Sequence, residues 1–280
     1  YLSYIDPQAR SGDDLARSFR IDVREVLSRP RPKPEAGDPA RVLLDQQVTR
    51  VHQNGLSEVF TERVVEILDD RGVREYDDYE IRFTPDTQSV QIKIAKVYKQ
   101  SGAVEQAETS DESDVSEPWY GLYYDVHAQT VRFPGLRPGD VVHLEYVLAD
   151  VGRRNLLSDY FGDLHFLQEE IPRLDSRYVL VVPEADLQRR PLYWNEPRSD
   201  VVKVVRTDEK TKDGDHVTRF VAQNVPRLLV EPGMPGIAEV VPYVHVSTYK
   251  TWEDVTIWYK GLVAEQLQPT PEITRAARAA

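Results

Sequence analysis

The feature that most constrains the fold is a long series of strand-like segments separated by turn signals. Apolar and polar residues alternate in Val90–Ile94 and again in Val141–Leu148. Turn dipeptides lie between such segments, notably Asn54-Gly55 and Asp213-Gly214. A two-residue period bounded by these turns is typical of half-buried strands joined by hairpins. The pattern therefore predicts one large all-β domain over residues 41–250.

Two segments inside this region have a different pattern. Asp69–Gly72 reads as a turn that leads into a strand at Val73–Phe83. Residues 105–117 contain six acidic and no basic side chains and show no apolar periodicity. Such a stretch is typical of a solvated loop, and we expect one here.

Helical periodicity flanks the β region on both sides. Ser11–Ser28 has apolar residues at three- and four-residue spacing and ends at the alternating prolines of Arg29–Pro34. Thr251 and Asp254 have the spacing of a capping box at the start of a second apolar-periodic segment. We expect an upstream helix with a linker at residues 1–40 and a β-sandwich at residues 41–250. A helix packed on or next to the sandwich should follow at residues 251–268, and the start of a linker or further domain at residues 269–280.

The charge balance and the composition exclude several function classes. Asp and Glu number 47 against 35 Lys and Arg, which gives a net charge of −12. This excess disfavours nucleic acid and anionic lipid as partners, since both are bound by basic surfaces. No apolar run approaches the length of a membrane span, so we expect no membrane insertion. The chain has no cysteine, which excludes disulfides, thiolate metal sites and a cysteine nucleophile within it.

Aromatic residues are densest just after the acidic segment. On a strand, alternate side chains point to opposite faces, so one half of this cluster would lie in the core. The other half would offer a platform for sugars or a partner chain, because Tyr and Trp give large contact areas. Core packing with cross-strand aromatic pairs is the competing interpretation. The candidate binding residues are Trp119, Tyr120, Tyr123, Tyr124 and, in a second cluster, Trp194.

Signals for metal binding or catalysis are few. No histidine lies in a His-x-x-x-His or His-Glu-x-x-His spacing, so a helix-borne zinc site is not predicted. Asp111, Glu112 and Asp114 offer clustered oxygens to calcium, but a solvated acidic loop is the favoured interpretation. The sequence lacks a nucleophile elbow, a Walker loop and a dinucleotide fingerprint. We expect no cofactor, no catalytic residue and no enzyme activity in this chain.

Several segments together resemble a known bacterial family. They are Leu43–Val51 with Asn54-Gly55, Ile67–Val73, Val90–Val97, Val131–Val142 and Ser247–Val255. Over about residues 41–265 they resemble the uncharacterised domain that lies immediately N-terminal to transglutaminase-like domains in bacterial, often cell-envelope, proteins. The resemblance implies an all-β, immunoglobulin-like antiparallel β-sandwich with an N-terminal and a C-terminal helix. It also implies a following papain-like domain with a Cys-His-Asp triad, none of which can be assigned to this chain.

The expected function is a non-catalytic module that positions or recruits for an adjacent transglutaminase-like domain in the bacterial periplasm or cell envelope. Trp252 and Trp258 would be interdomain anchors, since both lie on the predicted C-terminal helix. Two alternatives stay open. One is a carbohydrate- or peptidoglycan-binding module, and the other is a scaffold that binds protein partners by strand addition at a sheet edge.

Overall fold

The structure, a computed structural model, describes residues 14–52, 55–115, 125–151, 160–212, 214–264 and 266–279. The helices are α1 (residues 14–19), α2 (Val23–Ser28), α3 (Asp70–Tyr76), α4 (Glu184–Arg189), α5 (Ile237–Val240), α6 (Trp252–Val263) and α7 (Pro271–Ala279). The strands are β1 (Ala40–Val51), β2 (Ser57–Ile67), β3 (Asp78–Phe83), β4 (Gln88–Tyr98), β5 (Val104–Gln106), β6 (Glu108–Asp114), β7 (His127–Arg132), β8 (Val141–Asp150), β9 (Gly162–Phe166), β10 (Arg173–Pro183), β11 (Tyr193–Trp194), β12 (Val204–Lys210), β13 (Asp215–Val225) and β14 (Tyr243–Ser247).

The strands form one large sheet and two small ones. The large sheet has eight strands in the order β12-β13-β10-β1-β2-β8-β4-β5, and the small sheets are β11-β14-β9 and β3-β7-β6. This confirms a mainly β fold with several sheets. One pair departs from the antiparallel pairing expected from the sequence, because β1 and β10 run parallel. A parallel pair needs a long crossover, and the chain from β2 to β9 supplies it.

Both faces of the large sheet are buried at its centre. On β10, Tyr178 and Leu180 belong to a core cluster shared with β14, whereas Val179 and Val181 belong to one shared with α1. Successive side chains of a strand point to opposite faces, so this alternation places β14 and α1 on opposite sides of the sheet. Strand β10 is apolar at every position of Tyr178–Val182 because both of its faces are buried. A strand with one face in solvent would alternate apolar and polar residues instead.

The two small sheets cover one face of the large sheet. The sheet β3-β7-β6 packs over its β1-β2-β8-β4 region, and β11-β14-β9 packs over its β1-β10-β13 region. The first cluster is filled by side chains that include Val65, Ile81, Val131, Phe133 and Leu144. The second is filled by side chains that include Leu167, Tyr178, Phe220, Val244 and Val246.

The N-terminal helices cover the opposite face. Leu15 of α1 and Val26 of α2 are buried against the large sheet. The prediction of a single helix over Ser11–Ser28 is wrong. The described part of this segment forms two helices, α1 and α2, because the backbone leaves helical geometry at residues 20–22. There the Ile21 N–H donates to the Glu62 carboxylate at 3.0 Å instead of to a helical carbonyl. The described part of the predicted N-terminal linker region is therefore packed on the fold.

Two further predictions are wrong. Asp69–Gly72 begins α3 rather than a tight turn, because the Asp69 carboxylate caps it by accepting from the N–H groups of Arg71 and Gly72. The predicted acidic loop contains strands β5 and β6, in which backbone N–H and C=O groups pair with β4 and β7 while the charged side chains project outward. Glu117 lies outside the described residues. The side chains of Glu108 and Glu112 are exposed, as expected for a charged edge strand.

No helix among the described residues is long and apolar enough to cross a bilayer.

Replacing Leu15 by Ala tests whether α1 belongs to the folded core. Leu15 is 0% exposed, and deleting a buried leucine side chain costs about 2–5 kcal/mol of unfolding free energy. We expect a loss in this range by chemical denaturation. The matched control Leu229→Ala removes a side chain that is 62% exposed and should have little effect. Equal stability of the two variants would contradict the packing of α1.

Two helical glycines form a matched pair for a second test. A Cβ at Gly72 would lie 2.1 Å from the Pro39 carbonyl oxygen, which already accepts from the N–H groups of Leu68 and Asp69. A Cβ at Gly261 meets nothing within 4 Å. Gly72→Ala should therefore destabilise the fold by about 1–3 kcal/mol, despite the better helix propensity of Ala. Gly261→Ala should leave the unfolding temperature unchanged or raise it. If Gly261→Ala were the more destabilising variant, the close approach of Gly72 to the Pro39 carbonyl would be contradicted.

Candidate functional site

An aromatic pocket lies where the small sheet β11-β14-β9 meets the start of α6. Its volume is about 520 Å³. Its lining residues come from β14, from the turn after it and from the first turns of α6, together with Tyr160 just before β9. The lining residues are Tyr160, His245, Ser247, Tyr249, Lys250, Thr251, Trp252, Val255 and Trp258. We call this feature the aromatic pocket.

Three rings are held against one another in the pocket. Tyr160 stacks on Tyr249 with ring centroids 4.8 Å apart, and Tyr249 is tilted against Trp258 at 6.4 Å. Hydrogen bonds fix the turn that carries Tyr249. Its N–H donates to the Ser247 hydroxyl at 2.9 Å, and the Thr248 N–H donates to the carbonyl of Phe161 at 3.0 Å. The turn, the segment just before β9 and α6 are therefore in contact through these three rings.

The capping box predicted for the C-terminal helix is confirmed. The Thr251 hydroxyl accepts from the Asp254 N–H, and the Asp254 carboxylate accepts from the Thr251 N–H at 2.8 Å and the Lys250 N–H at 3.0 Å. The Thr251 backbone N–H is the main reason that the pKa of Asp254 lies below its ordinary value, and the Thr251 hydroxyl adds to it. These bonds satisfy N–H groups that the first helical turn leaves free, so they fix where α6 begins.

The pocket offers aromatic faces, one buried donor and one cation. Burial raises the pKa of Tyr249, and neighbouring Tyr160 raises it further, so the Tyr249 hydroxyl stays a neutral hydrogen-bonding group. The indole Nε1 of Trp258 is buried with no hydrogen-bond partner among the described residues. The Trp252 ring is 84% exposed at the rim. Stacking together with an indole N–H donor suits the binding of an aromatic, sugar or peptide group.

The candidate binding residues and interdomain anchors from the sequence lie in different parts of the structure. Trp252 and Trp258 both line the aromatic pocket. Trp194 is half-buried, packs on the second core cluster and has the Arg206 guanidinium 4.9 Å from its ring centre. The remaining predicted binding residues lie outside the described residues, namely Trp119, Tyr120, Tyr123 and Tyr124.

Asp111, Glu112 and Asp114 are weak calcium candidates in the sequence, and the described side chains among them do not belong to a group that could hold a metal ion. The Glu112 carboxylate contacts the His127 imidazole, and Asp114 lies opposite His127 in the β6–β7 register. Asp111 lies on β6, and its side chain is outside the described part of the chain. Among the described residues, one group of three side chains could hold a metal ion, and it is a different one, formed by Glu62, His143 and Glu145.

That group lies between the large sheet and the N-terminal helices. His143 and Glu145 are two residues apart on β8, and Glu62 lies directly opposite Glu145 on β2. All three side chains are buried. Burial alone would lower the pKa of His143, but the two carboxylates raise it above its ordinary value. Burial would raise the pKa of Glu145, but His143 and Arg20 lower it.

Sequence reasoning missed residues in both places. Tyr249 and Lys250 belong to the Ser247–Val255 segment that carried the family resemblance, so the segment was identified but not its aromatic turn. Tyr160 lies far away in the chain and gave no local signal. The search for metal ligands used helical spacings, whereas His143 and Glu145 have the two-residue spacing of a strand, which also places side chains on one face.

Acid titration tests the cap of α6. Because the folded pKa of Asp254 is depressed, its contribution is present above the unfolded value near 3.8 and is lost as pH falls through the folded pKa. We expect the amide resonances of Thr251 and Lys250 to shift in that acid range by NMR. Asp254→Asn should abolish the shift, and the neighbouring control Glu253→Gln should leave it unchanged. A shift that follows Glu253 instead would contradict the capping geometry.

Comparisons with known proteins give the family and the fold. The family model described as a domain of unknown function with a solved structure, DUF3857, matches residues 53–228. No curated protein matches the sequence significantly. Among solved structures, the chain is similar to a "putative protease" from Parabacteroides distasonis ATCC 8503, with a TM-score of 0.63 and 20% identity. That match covers 76% of this chain and 41% of the other, so this chain spans about two fifths of that protein's length.

A weaker likeness concerns native leukotriene A4 hydrolase from Saccharomyces cerevisiae, with a TM-score of 0.34 and 11% identity over 81% of this chain and 33% of that one. The similarity to the Parabacteroides distasonis protein shows a shared fold, and its sequence identity is too low to transfer an activity. The family match covers more than half of the chain. The chain therefore belongs to the DUF3857 family.

Proposed function

We propose that this chain is a non-catalytic, immunoglobulin-like β-sandwich module that positions or recruits for an adjacent transglutaminase-like domain in a bacterial envelope protein. The aromatic pocket at the start of α6 is the observation that carries the proposal. It couples the β-sheet body to α6 and presents the exposed Trp252 ring beside it. The adjacent domain and the envelope location rest on the family resemblance of the sequence.

The surface of α6 and α7 supports a docking role. Large apolar side chains are exposed along these helices, namely Trp252, Ile257, Tyr259 and Leu262 on α6 and Ile273 on α7. Leu267 between the helices is exposed as well. Burial of such side chains against a neighbouring domain stabilises by roughly 25 cal/mol per Å² of apolar area. Clustered apolar exposure is a common mark of an interaction surface.

The coupling of α6 to the body supports a positioning role. The capping box fixes the first turn of α6. The Tyr160–Tyr249–Trp258 contacts hold its second turn against the segments just before β9 and just after β14. A domain that docks on α6 would take its orientation from the sheet body through these contacts. Interdomain interfaces without such a fixed element allow relative motion.

The chemistry of a transglutaminase-like domain would reside in another part of the polypeptide. The resemblance implies a Cys-His-Asp triad for that domain, and this sequence has no cysteine. The role proposed here is therefore binding and orientation rather than nucleophilic catalysis.

A carbohydrate-binding module is the second candidate. The specific observation in its favour is the same pocket, since stacked tyrosines beside a buried, unpartnered indole N–H suit a sugar ring. Trp194 contributes less to this candidate than the sequence suggested, because Arg206 lies over its ring.

A binding measurement between this chain and the separately produced adjacent domain tests the proposal. We expect measurable affinity by isothermal titration calorimetry. Trp252→Ala should weaken it about tenfold or more, as truncation of an interface tryptophan commonly does. The control Leu229→Ala removes an exposed apolar side chain far from α6 in sequence and should change the affinity less than about twofold.

Two outcomes would contradict the docking role. The first is no binding at any accessible concentration, and the second is an equal loss for Trp252→Ala and Leu229→Ala. A third outcome would favour the carbohydrate module instead. In it, the chain binds peptidoglycan fragments but not the adjacent domain, and Tyr249→Ala abolishes the binding of the fragments.

A further inference from the structure

We propose that Glu62, His143 and Glu145 form a binding site for one divalent transition-metal ion of the Zn²⁺ class, buried between the large sheet and the N-terminal helices. This site lies on the face of the sheet opposite the small sheets and does not depend on the proposed docking role. The α1–α2 segment covers the site through the hydrogen bonds that Arg20 and the Ile21 N–H donate to Glu145 and Glu62.

Strand register brings the three ligands together. His143 and Glu145 project from the same face of β8, because they are two residues apart. Glu62 on β2 is the direct cross-strand partner of Glu145. Side chains on directly opposed strand positions lie within contact distance. The site is therefore built on two central, hydrogen-bonded strands rather than on loops.

The spacing of the ligand atoms fits a metal ion. His143 Nε2 lies 3.1 Å from Glu145 Oε1 and 3.8 Å from Glu62 Oε1, and the three ligand atoms all lie within 4.8 Å of one another. Ligands about 2.0–2.2 Å from a tetrahedral Zn²⁺ ion are separated from one another by roughly 3.3–3.6 Å. The distances to His143 lie on either side of that range, so small side-chain rotations would complete the coordination.

Unpartnered atoms point to a ligand at this position. Glu62 Oε1 and His143 Nε2 are buried and make no hydrogen bond of normal geometry. His143 Nε2 lies 3.1 Å from Glu145 Oε1, within ion-pair distance. Leaving such buried atoms unsatisfied is costly, and an ion between them would satisfy both.

The surrounding side chains hold the ligands in place. The Ile21 N–H at 3.0 Å and Gln46 Nε2 at 3.3 Å donate to Glu62 Oε2, which leaves Oε1 for an ion. Arg20 Nε donates to both oxygens of Glu145, at 3.0 and 2.8 Å. Outer hydrogen bonds of this kind orient metal ligands in proteins. One imidazole with two carboxylates suits Zn²⁺ better than Ca²⁺, which prefers an all-oxygen set.

Metal retention tests the site. The chain is incubated with Zn²⁺, passed through gel filtration and analysed for zinc by mass spectrometry. We expect one zinc ion per chain, and a loss of about tenfold or more in affinity for Glu62→Gln and His143→Gln. The matched control is His127→Gln, which removes a less buried imidazole that also lies beside a carboxylate, that of Glu112. This control should retain zinc, and Ca²⁺ should not compete.

A second measurement needs no variant and guards against misfolding. Co²⁺ added to the native chain should give the intense visible absorption of four- or five-coordinate cobalt, and Zn²⁺ should remove it. The weak spectrum of octahedral, solvated cobalt would overturn the proposal. A folded native chain that retains no zinc would also overturn the proposal and would leave the three side chains as a buried charge cluster only. Equal zinc retention by His143→Gln and the native chain would overturn it as well.

Discussion

Burial of β1 on both faces is the constraint on which the rest of the structure depends. Nearly every side chain of this strand is buried, and its backbone pairs with β10 on one edge and β2 on the other. A strand in this position needs a covering layer above and below it. The two small sheets provide one layer and α1 with α2 provide the other. The parallel pairing with β10 then requires the long crossover from which part of the small sheets is built.

This arrangement places the two candidate sites on separate layers. The aromatic pocket belongs to the β14 sheet and α6, at the outer side of one covering layer. The Glu62–His143–Glu145 group belongs to the large sheet itself, beneath the other layer. The two sites share no residue in the described part of the chain, so the two functions can be tested with separate variants.

Local signals predicted much of the fold, whereas strand order and remote contacts could not be predicted. The alternation in Val141–Leu148 gives β8, and the Thr251–Asp254 spacing gives the start of α6, because both depend on neighbours in the chain. The parallel β1–β10 pair depends on residues more than a hundred positions apart, which no local pattern records. The same reason explains which site residues could be predicted from the sequence. Trp252 and Trp258 lie on one predicted helix, but Tyr160 and Glu62 join their sites only through tertiary packing.

The central claim is that α6 and the aromatic pocket orient a neighbouring domain. Amide hydrogen exchange over residues 245–263 in the parent polypeptide tests it most directly, before and after removal of the transglutaminase-like domain. We expect strong protection of this segment that is lost on removal of the domain, while exchange in β1 stays unchanged. Exchange over residues 245–263 that is the same with and without the domain, or a parent polypeptide with no such domain, would contradict it.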